Sequence, residues 1–94
     1  MVVIWSALAE EQLNDILDYY LKEVSFSTAQ TILETLVGST NRLIELKLIA
    51  ENPLYRVLVE GHYKIIYSIE EDYIRIAFLF DSRQNPDKLL SFLQ

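Results

Sequence analysis

Residues 62–86, HYKIIYSIEEDYIRIAFLFDSRQNP, leave this chain few folds to choose from. Tyr63, Ile65, Tyr67 and Ile69 alternate with Lys64, Ile66 and Ser68. After Glu70-Glu71-Asp72, the residues Ile74, Ile76, Phe78 and Phe80 alternate with Tyr73, Arg75, Ala77 and Leu79. Two adjacent period-two runs joined by a polar turn predict a β-hairpin with one buried face. The exit, residues 81–86, is a polar loop carrying Arg83.

The upstream sequence reads as the layer that covers that face. Val2-Val3-Ile4-Trp5 predicts a short first strand, and Ser6 after it is a good N-cap. Ala9, Leu13, Ile16, Leu17, Tyr20 and Val24 then form one helical stripe, predicting a helix over about residues 7–23. Ser27 with Gln30 makes a capping box for a second helix over about 28–47. Its stripe is Ala29, Ile32, Leu33, Leu36, Val37, Leu43 and Ile44. Gly38 inside it predicts close approach of the first helix. Pro53 ends the helical half, and residues 54–60 predict another strand. Leu89, Leu90, Phe92 and Leu93 predict a short C-terminal helix.

The element order is thus β-α-α-β-β-β plus a short helix. If each element reverses the last, the first strand pairs antiparallel with the fourth. The expected fold class is α+β. It is a two-layer sandwich, with a helical hairpin on one face of a four-stranded antiparallel sheet of order 2-3-4-1. Pairing Ile69 with Ile74 puts Tyr63, Ile65, Tyr67, Ile69, Ile74, Ile76, Phe78 and Phe80 on one face, and a one-residue slip would split them. A three-residue loop at Glu60-Gly61-His62 adds Tyr55, Val57 and Val59 to the core. Arg56, Leu58, Lys64, Ile66, Tyr73, Arg75, Ala77 and Leu79 are left on the outer face.

Composition narrows function more than fold. Ninety-four residues form one domain, 1–94, able to bury roughly 60–65% of its unfolded surface. There is no cysteine, so disulfides and thiolate metal sites are excluded. No metal or cofactor is expected, because neither a phosphate loop nor metal-ligand spacing occurs. No apolar run is long enough to span a membrane, and MVVIWS lacks a signal-peptide pattern, so the expected location is cytoplasmic. The net charge of −6 does not steer the chain toward nucleic acid. Within it, Arg56, Lys64 and Arg75 come from three strands and share the expected outer face, with Arg83 at its rim. Such a cluster suits phosphate or carboxylate. His62, the lone histidine, lies at a turn, where an exposed surface role is the plain reading. Glu10, Glu11, Asp15 and Asp18 read as a solvated helix face.

The segments IWSALAEEQLNDILDYY and LYRVLVEGHYKIIYSIEEDYIRIAFLFDSRQNP, with the element order, resemble the RelE/ParE superfamily of bacterial type II toxin–antitoxin systems, most closely its ParE-like branch. The resemblance spans nearly the whole chain. It implies a growth-inhibiting toxin, of the kind that stabilises plasmids, neutralised by an antitoxin whose C-terminal segment wraps it. ParE-type members act on DNA gyrase without being enzymes. RelE-type members cleave mRNA on the ribosome. Arg56 resembles the family arginine of the Tyr-Arg strand, Lys64 the basic residue after the next strand's tyrosine, and Arg83 the arginine after the last strand. In a RelE-like nuclease, Arg56 and Arg83 would contact the scissile phosphate, and Lys64 or His62 would move protons. The sparse basic face, the SFLQ ending and the acidity favour a protein target over RNA. A non-toxic interaction module of the same fold is a third reading. Whether the assembly is a homodimer or a toxin–antitoxin hetero-oligomer stays open.

Overall fold

The computed structural model describes residues 2–46 and 55–83. The elements run β1 (Val2–Trp5), α1 (Ala7–Glu23), α2 (Phe26–Leu46), β2 (Arg56–Glu60), β3 (Tyr63–Ile69) and β4 (Tyr73–Asp81). Ser6 caps α1 as expected, its hydroxyl accepting from the Ala9 N–H at 3.0 Å. The second cap is a correction. Ser25, rather than Ser27, accepts from the Thr28 N–H, so α2 starts at Phe26. Gln30 then bonds Glu34 one turn on instead of closing a box.

The sheet order is β1-β4-β3-β2, which is the expected order viewed from the other edge. Its sense is different. β1 pairs parallel with β4, from Val2 opposite Tyr73 to Trp5 opposite Ile76, so the sheet is mixed. The assumption that every connection reverses direction fails. Gly38 is a second correction, since a Cβ there would meet nothing within 4 Å. The expected C-terminal helix lies outside the described residues.

Ile69 pairs with Ile74 as predicted. Two one-residue shifts then move side chains between faces. The first is a bulge: Ile66 faces Phe78 while Tyr67 faces Ile76, which leaves Ala77 as the extra residue. Leu79 therefore joins the helix-side core, and Phe78 and Phe80 turn to the outer face, the reverse of expectation. The second is at the β2–β3 turn, where Glu60 pairs with Tyr63 and only Gly61 and His62 form the loop. Gly61 holds the left-handed backbone, φ 60°, as expected. The shorter loop inverts β2. Leu58 packs on the core, whereas Tyr55, Val57 and Val59 are exposed rather than buried.

The core therefore lies between the helices and the sheet: Ala9, Leu36 and Leu43 against Tyr63, Ile65, Tyr67, Ile74, Ile76 and Leu79. Burying each large apolar side chain here contributes about 1.5–3 kcal/mol. A second buried cluster, Ile66, Ala77, Phe78 and Phe80, occupies the outer face. The bulge is tied down from the helix side. Ser6 donates through its N–H to the Ile76 carbonyl and through its hydroxyl to the Ala77 carbonyl. Where β1 has ended, Gln12 accepts the Leu79 N–H at 2.6 Å. These bonds satisfy backbone groups that the parallel edge strand is too short to reach.

Candidate functional site

The inverted β2 and the bulge disperse the expected basic face. Lys64 and Arg75 stay on the outer side, both partly exposed. Lys64 stands opposite Phe80 and Arg75 opposite Ser68. Four residues of β3 separate those positions, about 13 Å. Between them lies the apolar cluster of Ile66 and Phe78. Arg56 is a correction, because it pairs with Tyr67 and so falls on the helix side of the sheet. Arg83 also leaves the outer rim. It follows Asp81, the partner of Tyr63, and sits on the helix side at the other end of the sheet. The four cations thus form no single patch.

Arg83 belongs instead to a polar cluster that sequence reasoning missed. Its Nε and Nη2 form a fork on the Asp81 carboxylate, with Nη2 to Oδ2 at 2.7 Å and Nε to Oδ1 at 2.9 Å. The Arg83 backbone N–H adds a third donor to Oδ1. These bonds hold the Asp81 carboxyl below the usual carboxylate range, and Asp81 in turn pushes Arg83 further up. Beside the pair, the Tyr20 hydroxyl of α1 lies 3.2 Å from the Tyr63 hydroxyl of β3. Burial, then the bond to Tyr20, pushes Tyr63 up. Tyr20 is lowered, first by the Tyr63 bond and then by Arg83. The signal for this pair was present in the sequence. A tyrosine on each buried stripe needs a partner for its hydroxyl.

The cluster borders a cleft of about 150 Å³ between the helices and the β2–β3 turn. Tyr20, Ile32, Thr35, Leu36, Glu60, Gly61, His62 and Tyr63 line it. Glu60 is fixed there by α2. The Ser39 hydroxyl and the Arg42 guanidinium both donate to its Oε2, at 2.6 and 3.3 Å. His62 is exposed, and its carbonyl accepts the Ser82 N–H at 2.7 Å, which staples the turn to the exit of β4. His62 and Arg83 therefore share one end of the sheet. Arg56 stands about 13 Å along it, four residues of β2 from Glu60. Lys64 faces the other way. Their arrangement offers one guanidinium, one imidazole and two phenols at the rim of a mostly apolar cleft, which suits a side chain from a protein better than a polyanion.

Among the described residues no helix is long and apolar enough to cross a membrane. No curated protein matches the chain. A solved structure described as the chromosomal ParDE toxin–antitoxin system from P. aeruginosa is similar in fold. Its TM-score is 0.71 at 18% identity, covering 86% of this chain and 95% of that one. The family model described as the ParE toxin of the type II toxin–antitoxin system, parDE, matches residues 3–86. That span holds all but the first residue of β1, both helices, the hairpin sheet and the Arg83 exit, and the chain belongs to this ParE toxin family.

Proposed function

We propose that this chain is the toxin of a ParDE-type pair, which inhibits growth by binding a protein target such as DNA gyrase and is neutralised by a cognate antitoxin. The family match over residues 3–86 carries this reading. The placement of the cations supports it against the ribonuclease alternative. Cleaving mRNA on the ribosome needs phosphate neutralisation and grouped acid–base residues. Arg56, Lys64, Arg83 and His62 are instead divided between two faces and two ends of the sheet. The protein works without catalysis in this account, through the helix-side cleft, the Arg83 exit and the flanks of the sheet.

Induced expression in a bacterial host tests the reading. The expected result is growth arrest with DNA-damage signalling and intact transcripts, relieved by co-expression of the neighbouring antitoxin gene. Primer extension showing codon-dependent mRNA cuts within minutes would establish the RelE-like alternative. Normal growth would leave only the non-toxic interaction module.

A further inference from the structure

We infer that the free edge of β2 pairs with β2 of a second copy, joining two sheets into one about a two-fold axis at Leu58. β2 is the last strand of the sheet, and no described strand pairs its outer edge. It is an unusual edge, because Val57 and Val59 are 54% and 62% exposed on its outer face. Exposed, β-branched edge strands template pairing unless a charge or a proline blocks them. Neither blocks this one, since Arg56 and Glu60 lie on the helix side.

The backbone selects the register. The Glu60–Tyr63 pair closes a two-residue loop, so it exchanges backbone bonds, and bonding alternates from there. Arg56, Leu58 and Glu60 thus bond inward to β3, and Val57 and Val59 aim their N–H and C=O groups outward. Antiparallel pairing of two edges must set outward residues against outward residues. The arrangement with most overlap places Val57 opposite Val59 of the second copy, and Leu58 opposite Leu58. It also places Arg56 opposite Glu60, so that like charges never meet. Arg56 and Glu60 already have partners within their own chain, so the pairing relies on backbone bonds and valine contact rather than on new ion pairs. The sequence RVLVE is self-complementary in this register alone. β1, the other edge, is four residues long and carries no charge to set a register. Two copies at −6 each repel, so the dimer is weak, and added salt strengthens it by screening.

The inference does not depend on the toxin reading and is tested on the full chain made by cell-free synthesis. Sedimentation over a concentration series should show reversible monomer–dimer exchange that shifts toward dimer with salt. Val59→Pro removes an outward N–H that the β2–β3 ladder does not use, a position where edge strands tolerate proline. It should leave the circular dichroism unchanged and give a monomer. Because the chain has no cysteine, Leu58→Cys supplies one thiol at the two-fold axis, where paired Cα atoms approach closely enough for a disulfide. Oxidation should cross-link Leu58→Cys at least tenfold faster than Val57→Cys, whose copies stand two residues out of register. A wild-type monomer at every concentration, an unchanged dimer in Val59→Pro, or equal cross-linking of the two cysteine variants would overturn the inference.

Discussion

Asp81 and Arg83 show how a single pair sets the pH behaviour of the exit. The fork from Arg83 holds the Asp81 carboxyl below its ordinary range in the folded chain. The unfolded chain, near the usual value of about 3.9, therefore takes up the proton first. The pair's contribution is complete above that value and is lost as the pH falls through the folded one. Its Arg83 side chain is 52% exposed, so solvent screens the pair and its contribution is small. Urea unfolding of Asp81→Asn should show a lower midpoint than wild type at neutral pH, with the gap closing as the carboxylate range is crossed. Tyr20 gives a second residue-scale prediction. Removing its bonding partner with Tyr63→Phe should raise the pH at which Tyr20 ionises, read from tyrosinate absorbance. For function, Arg83→Ala should reduce toxicity while costing stability no more than the ion pair does. Unchanged toxicity would remove Arg83 from the working surface.

At the scale of elements, the two glycines are opposite cases. Gly38 lies inside α2 with open space where a Cβ would go, so Gly38→Ala should stabilise by about 0.5–1 kcal/mol. Gly61 has equal space but a left-handed backbone, so Gly61→Ala should destabilise by roughly 1–2 kcal/mol through strain alone. Thermal unfolding of the two variants checks both signs. The same two regions show what was legible in the sequence. α1 and the Ile69–Ile74 register were readable because polar residues interrupt the apolar ones at a clear period. The face of β4 was not, because residues 76–80, Ile-Ala-Phe-Leu-Phe, are apolar in either phase and hide a bulge at Ala77. The face of β2 turned on whether its loop holds two or three residues. That choice moved Arg56 across the sheet and dissolved the expected basic patch. The direction of β1 was unreadable for another reason, since no local pattern records the sense in which two strands so far apart in sequence pair.

For the whole molecule, charge and placement agree. A chain with 14 acidic and 8 basic residues has no field to draw it onto RNA. Its described cations are spread over two faces, and Arg42, Arg56 and Arg83 have partners within the chain. Exposed apolar groups at Phe26, Val57 and Val59 instead offer surface for protein contact. Supercoiling by purified DNA gyrase in the presence of the full chain tests the central claim most directly. The account predicts dose-dependent loss of supercoiling that the cognate antitoxin reverses. Undiminished supercoiling at a large excess of a chain that still arrests growth would contradict it.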